Sequence, residues 1–559
     1  MTEKILTVLI GGKAGEGVKK AAQVIADMAA KLGNYTFQVD DYQSLIKGGH
    51  NFSVVSISAG KLCNAYKKAD LIISFDQRSV LRHQEDGSED ALHFCNEGDA
   101  QGSSAIPLPL AKLKQQSYPD GGTMSIAAIA IFAAVGNINY DFMLQSIAEG
   151  YHGNSAGNTA FAEAVYKLFS PQEMQVNYHI SKHRMVPQST FSGNQLIALG
   201  AWAAGMDCYY GYPMTPASPL LHYLAKQSDK LKVLAMQVES ELAAINMAIG
   251  SVFAGKRSMV GSSGGGFALM QEGFALAGMV EAPLLCVLSS RPGPATGVST
   301  YTAQEDLYFA LNQGHGEFPR IVASPDCFER AFSLAAELLD LVWECQSPAI
   351  LLTEKHLSES RSNIDLPIDD IPEATQTIPT GQKPYQRYEI TESGISPLKF
   401  PGTQNCAEDD VIKWNSNEHL ESGVRTDEAP AIVAMRDKRK RKYETIAKAT
   451  SRYQRVAIYG SGQSVVFAYG STAMELREAQ KYHAFTLVVP IYLEPFPGEE
   501  LASYAGQEVI VAEHSSQAHF AEFLKNKLKV KVKATILRYD GRHFGTDELV
   551  QAIKEAENA

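Results

Sequence analysis

Short apolar runs alternate with stretches of helical spacing along this chain. In the middle of the sequence the runs lie at 206–211, 233–236, 258–261, 284–288 and 349–353. A continuous apolar run reads as a strand buried on both faces, which belongs to a parallel sheet covered by helices. Repeated strand–helix alternation specifies a doubly wound sheet. The fold class expected is therefore α/β, with several open, mostly parallel sheets. In such sheets the loops that leave the carboxyl ends of the strands form the ligand crevice.

At 559 residues the chain has room for roughly three or four domains of about 150 residues. The boundaries predicted are 1–185, 190–362, 363–450 and 451–559. The first domain opens with a buried strand of parallel type at 5–10, then a glycine-rich turn at 11–18 and a helix to about 32. Residues 363–427 are rich in Pro, Gly, Thr and Asp and read as an extended linker or wrapping arm, followed by a charged helix at about 429–450. The last domain repeats the apolar runs, at 456–459, 465–472, 487–490, 509–514 and 534–537.

A net charge of −12 argues against a general nucleic-acid binder. The run Lys438-Arg439-Lys440-Arg441-Lys442 reads as a solvated helix face, or as a surface for an acidic partner or a nucleotide phosphate. No apolar stretch approaches the roughly 20 residues of a membrane span, and the first residues lack a signal-peptide layout. The seven cysteines are scattered, without Cys-x-x-Cys, so neither a disulfide framework nor a local zinc or iron–sulfur site is indicated. A cytoplasmic protein without a metal site of its own is expected.

The segment Tyr212-Pro213-Met214-Thr215-Pro216-Ala217-Ser218-Pro219 lies between a predicted strand and a predicted helix. Ser218 is expected to be the N-cap and Pro219 the first helical residue. This corner sets the hydroxyls of Thr215 and Ser218 beside the positive end of a helix dipole, where a carboxylate, phosphate or developing oxyanion is stabilised. An ordinary βα turn satisfies the same residues. Further on, Glu239 and Glu241 stand at a strand-to-helix junction. The helix after them is almost wholly apolar, so its N-terminus is expected to be buried. A buried carboxylate needs a partner or a proton. Either glutamate also fits as a simple charge at the dipole end.

Ser262-Ser263-Gly264-Gly265-Gly266 reads as a flexible glycine loop between strand and helix, and Ser289-Ser290-Arg291-Pro292-Gly293 ends another strand. Plain turn chemistry accounts for each loop singly. The loops carrying Thr215, Glu241, Ser262 and Arg291 nevertheless all leave carboxyl ends of predicted strands and can meet on one rim. In the first domain, the glycines of the 11–18 turn (Gly12, Gly15 and Gly17 among them) allow close backbone approach, and the helix behind them favours an anion. The turn is not a Walker loop and matches the dinucleotide fingerprint poorly. Lys47-Gly48-Gly49-His50-Asn51, ahead of an alternating strand at 52–58, suits phosphates or a hairpin loop.

Together these residues resemble the α subunit of the 2-oxoacid:ferredoxin oxidoreductases, of the type with a γ domain fused ahead of the α domain. The corner is similar to that family's Tyr-Pro-Ile-Thr-Pro signature. The blocks at 239–244, 262–267 and 314–320 are similar to others, in the family's order, and the resemblance covers nearly the whole chain. It implies an N-terminal γ domain facing coenzyme A, a central thiamine-pyrimidine-binding domain and a C-terminal transketolase-like domain. It also implies oxidative decarboxylation of a 2-oxoacid to acyl-CoA and CO2, with electrons to ferredoxin, or the reverse carboxylation.

By the same resemblance Glu241 is the catalytic carboxylate that bonds the aminopyrimidine of thiamine. Thr215 lies by the substrate carboxylate and the incoming thiol. Tyr212, Pro213, Arg291 and Tyr301 are expected near substrate, and Ser262 and Gly264 near thiamine diphosphate. Gly12, Gly15, Gly17, Lys47, Gly48 and Gly49 are expected near coenzyme A. Met214 and Lys47 depart mildly from the family pattern. Tyr301 stands where Arg or Lys is expected, which leaves the substrate's anchor open between Arg291 and a residue elsewhere.

The chain has no Gly-Asp-Gly block for magnesium and diphosphate and no cysteine cluster. The resemblance therefore implies a β subunit that supplies Mg2+, the diphosphate half of the thiamine site and a [4Fe-4S] cluster, in an αβ or (αβ)2 complex. 2-Oxoglutarate is the favoured substrate, with pyruvate and branched-chain or aryl 2-oxoacids open. The alternative class is a non-catalytic nucleotide-binding scaffold subunit. A transketolase-like enzyme without electron transfer is disfavoured by the missing diphosphate block.

Overall fold

The computed structural model describes residues 4–43, 49–118, 122–169, 186, 189–373, 384–402, 406–407 and 410–558. Lys47 and Gly48 lie outside the described residues. The chain forms two compact units, 1–192 with 359–365 and 545–547, and 193–358 with 366–544 and 548–559.

The first unit is built on an eight-stranded sheet. Its order is Ile106–Leu108, Gly87–Asn96, Ala69–Ser74, Ile5–Lys13, His50–Ser58, Tyr35–Tyr42, Arg361–Asn363 and Thr190–Ser192. Strand pairs are parallel up to Ile5–Lys13 and antiparallel beyond it. The opening strand is thus parallel on one side only. It also runs longer than expected: Gly11, Gly12 and Lys13 pair with Phe52, Asn51 and His50, so the turn shrinks to 14–17. The ladder continues because the facing strand keeps offering backbone partners. The helix Ser125–Val135 (SIAAIAIFAAV) has no polar face and is buried almost all round, as such a composition requires.

The second unit holds two sheets. The larger has the order Tyr492–Glu494, Ile321–Ala323, Ala349–Glu354, Leu284–Ser290, Ser258–Ser262, Cys208–Gly211 and Leu234–Gln237. All neighbours are parallel except the first pair. The smaller runs Val456–Tyr459, Thr486–Pro490, Val465–Phe467, Glu508–Glu513 and Lys531–Leu537, parallel after its first pair. Helices Gly193–Ala203 and Phe328–Cys345 meet backbone to backbone. A Cβ at Gly200 would lie 2.0 Å from the carbonyl oxygen of Phe332.

The basic run is not a solvated face. In helix Ala429–Thr450, Lys438, Arg439 and Lys442 are buried. Lys438 Nζ donates to both oxygens of Glu281, at 2.7 and 3.0 Å, and Lys442 pairs with the same carboxylate. Arg439 donates to both oxygens of Glu418, at 2.7 and 2.8 Å. Two lysines and Arg387, whose guanidinium reaches the Glu281 carbonyl at 3.0 Å, hold the Glu281 carboxyl far below the usual carboxylate range against the opposing effect of burial. Among the described residues no helix is long and apolar enough to cross a membrane.

Candidate active site

Four adjacent parallel strands of the larger sheet end side by side, at Gly211, Gln237, Ser262 and Ser290. Their loops carry Thr215, Glu241, Ser262 and Arg291, and side-chain contacts join them across the rim. Ser262 Oγ donates to Glu241 Oε1 at 3.4 Å and lies 4.0 Å from the sulfur of Met214. Arg291 Nη1 donates to the carbonyl oxygen of Thr215 at 2.7 Å. Ser290 Oγ donates to Asp306 at 2.7 Å.

The two glutamates at the helix start have different surroundings. Ser240 caps helix Glu241–Phe253, its hydroxyl accepting the amide hydrogen of Ala243 at 3.3 Å. Glu239 is exposed, whereas Glu241 is only 3% exposed. Among the described residues Glu241 has no cationic partner, and no hydrogen bond reaches its Oε2. The apolar composition of this helix has a second cause besides burial. Leu242 and Met247 are exposed, with Asn246 and Gly250, so one stripe of the helix is uncovered.

The glycines at 264–266 are not a flexible loop. They form the first turn of helix Gly264–Leu269, with Ser263 at the cap position but its hydroxyl bonded to no backbone N–H. A Cβ at Gly266 would lie 2.2 Å from Glu241 Oε1 and 2.1 Å from Ser262 Oγ, and one at Gly264 would lie 2.7 Å from the Asp306 carboxylate. Glycine is required so that helix backbone can close over these side chains. The corner helix also begins earlier than expected. It spans Ser218–Leu231 with Ala217 at the cap, so Pro219 is its second residue and the Ser218 hydroxyl caps nothing. Tyr212 is 40% exposed, and Pro213 and Thr215 are half-buried.

Arg291 is buried, and burial lowers its pKa, partly offset by Asp306. One nitrogen of its fork, Nη1, is engaged by the corner. Tyr301 is half-buried, with the guanidinium of Arg542 4.8 Å above its ring. Asp306, Gly266, Gln304 and Arg542 were not singled out from sequence. Gly266 stood within the Ser262–Gly266 loop, and Gln304 has its partners, Tyr469, Thr472 and His514, far along the chain. The block at 314–320 is engaged in packing: Arg320 stacks 4.2 Å over Phe318, and a Cβ at Gly278 would lie 2.2 Å from that ring. A cavity of about 740 Å3 in this unit is lined by His315, Arg436, Arg439 and Tyr443 among others, and by none of Thr215, Glu241, Ser262 or Arg291.

In the first unit Gly15 and Gly17 take left-handed backbone conformations, φ 99° and 79°. A Cβ at Gly17 would meet Ser125 at 2.8 Å and one at Gly12 would meet Glu16 at 2.6 Å, while the space beside Gly15 is open. The Gly49 carbonyl accepts from Ala14 N at 3.0 Å, joining the turn to the strand His50–Ser58. Beside them, Ser79, His50, His83 and Asp86 form a hydrogen-bonded row, with 2.9 Å between the two imidazole Nε2 atoms and 2.6 Å from His83 to Asp86.

Residues 199–438 match the family profile described as pyruvate flavodoxin/ferredoxin oxidoreductase, thiamine diP-bdg, and residues 7–168 match pyruvate ferredoxin/flavodoxin oxidoreductase. The 2-oxoacid:ferredoxin oxidoreductase subunit alpha of a Sulfolobus species is 29% identical over 98% of this chain and 96% of its own length. The solved 2-oxoglutarate:ferredoxin oxidoreductase of Magnetococcus marinus, with 2-oxoglutarate, coenzyme A and succinyl-CoA bound, superposes with a TM-score of 0.85. It is 26% identical, over 99% of both chains. The chain belongs to the 2-oxoacid:ferredoxin oxidoreductase α-subunit family. It is thus a subunit of an oxidoreductase, and its family's thiamine diphosphate-binding profile falls on the unit that carries Glu241. The 2-oxoglutarate synthase subunit KorA of Archaeoglobus fulgidus is 34% identical over a shorter stretch, 31% of this α subunit and 51% of that protein.

Proposed function

We propose that this α subunit serves a thiamine diphosphate-dependent enzyme that converts 2-oxoglutarate and coenzyme A to the acyl-CoA and CO2, passing electrons to ferredoxin, or runs the reverse reaction. Support for the substrate comes from the Magnetococcus neighbour, which holds 2-oxoglutarate and succinyl-CoA, and from the KorA relative. A β subunit supplies Mg2+, the diphosphate site and a [4Fe-4S] cluster in an αβ or (αβ)2 assembly. Support is the exposed apolar stripe on the helix that begins at Glu241. Scattered cysteines without a Cys-x-x-Cys pair fit a reducing, cytoplasmic location.

The observation that carries the reading is Glu241: a buried carboxylate, one oxygen held by Ser262, with no cation beside it. Such a group fits an incoming N–H of an aminopyrimidine, which would satisfy the open Oε2. Thiamine diphosphate, when bound, supplies the electron sink for decarboxylation. Glu241 holds the ring nitrogen and moves its proton. Ser262 and the closed turn at Gly266 fix that carboxylate, and Arg291 fixes the corner so that the Thr215 hydroxyl meets the substrate. In the first unit Gly12, Gly15, Gly17 and Gly49 face coenzyme A. The open space beside Gly15 supports this.

Glu241→Gln in the α subunit reconstituted with its β subunit tests the assignment. Coenzyme A-dependent dye reduction with 2-oxoglutarate should fall about a hundredfold or more, with assembly unchanged. Full turnover would make Glu241 a structural acid and favour a scaffold role.

A further inference from the structure

The loop after Ser290 folds back on itself. Val298 N donates to the Pro292 carbonyl at 3.1 Å, Tyr301 N to that of Val298 at 3.3 Å, and Gly293 N to Glu305 at 2.8 Å. Tyr301 therefore belongs to the same folded loop as Arg291.

The loop after strand Lys531–Leu537 is locked onto it. Thr302 N donates to the Gly541 carbonyl at 2.9 Å. A Cβ at Gly541, where φ is 81°, would lie 2.9 Å from Tyr301 Cβ. Gln304 fastens the same region: its side chain donates to Tyr469 O and accepts from Thr472 and from His514 N, at 2.8–3.0 Å. The position of residue 542 over Tyr301 is thus set by backbone contacts on both sides.

Arg542 is exposed, and its guanidinium feels the Asp540 carboxylate at a distance without forming an ion pair with it. The Asp540 carboxylate is taken by Arg538, at 3.0 and 2.9 Å, and by the backbone N–H of Arg542 at 2.9 Å. Arg538 also takes Glu548, at 2.6 Å. The Arg542 side chain donates only to the Asp540 carbonyl, at 3.0 Å, and among the described residues no carboxylate comes within 4 Å of it. Arg291, the cation of the loop after Ser290, is buried and tied through Nη1 to the Thr215 carbonyl. A guanidinium seated on an aromatic face, with most of its fork unused, is preorganised to take a carboxylate in a two-pronged hydrogen bond.

We propose that Arg542 binds the distal carboxylate of a dicarboxylic 2-oxoacid, with Tyr301 as its positioning residue. This rests on the substrate reading above. It gives the cation missing at position 301 a replacement from a distant segment of the chain.

The test uses the complex reconstituted with the β subunit, assayed with 2-oxoglutarate and with pyruvate. Arg542→Gln should raise KM for 2-oxoglutarate at least tenfold and leave that for pyruvate within twofold. Arg542→Lys, which keeps the charge without the fork, should lie between. Tyr301→Leu should raise KM for 2-oxoglutarate in the same selective way. Equal effects on both substrates, or none, would overturn the inference while leaving the substrate reading intact. A wild-type complex that turns over pyruvate and not 2-oxoglutarate would overturn both.

Discussion

Gly266 lacks a side chain because Glu241 and Ser262 occupy the space where one would sit. Gly266→Ala should displace the Glu241 carboxylate by a fraction of an ångström to an ångström. Turnover of the reconstituted complex should then drop about tenfold to a hundredfold, while the far-ultraviolet circular dichroism of the chain stays the same. Unchanged kcat would show that the carboxylate's position is not critical. At this scale the sequence was partly legible. The pair Glu239 and Glu241 was visible, yet choosing between them from the residues alone needed to know where the strand stops. It stops at Gln237, Ser240 caps, and the first helical residue turns inward. Tyr301 was legible as a departure from the family pattern. The cation above it was not, because Arg542 stands 241 positions later in the chain.

Charged elements were harder to read than apolar ones. Five consecutive basic residues suggest solvent, yet Lys438 and Lys442 are buried because Glu281 sits more than 150 residues away and meets them. Sequence spacing carries no trace of such a pairing. A second buried acid makes an element-level prediction. Glu354 closes strand Ala349–Glu354, where it accepts the backbone N–H of Ser471 and faces Glu475 and His514. Burial pushes its carboxyl up to about 7 from an ordinary 4.5. The folded chain therefore holds a proton that the unfolded chain releases between those values, and stability falls as pH rises through that window. Glu354→Gln should flatten the fall. From pH 5 to pH 8 the variant should gain up to about 3 kcal/mol on wild type, read as a pH-dependent difference in Tm. Parallel Tm curves would mean that Glu354 is ionised in the fold.

At the scale of the whole molecule, the α/β class and five strands of the larger sheet were legible because both faces of a parallel sheet are covered by helices, whereas Ile321–Ala323 and Tyr492–Glu494, three residues each, were not. The antiparallel half of the first sheet was not. It recruits Arg361–Asn363 and Thr190–Ser192, three-residue strands too short to leave a pattern. Leu242→Lys tests the use of the uncovered helix stripe. It should weaken association with the β subunit at least tenfold in size-exclusion or titration measurements without altering the fold of the α chain. Undiminished association would move the interface elsewhere.

That stripe, together with Leu234 and Met236 on the outermost strand, also bears on how much of the chain a cell should make. An unaccompanied copy presents greasy side chains next to an open strand edge, a combination that invites clumping and proteolytic clearance. Matched synthesis of this chain and the proposed β subunit would keep such orphans scarce.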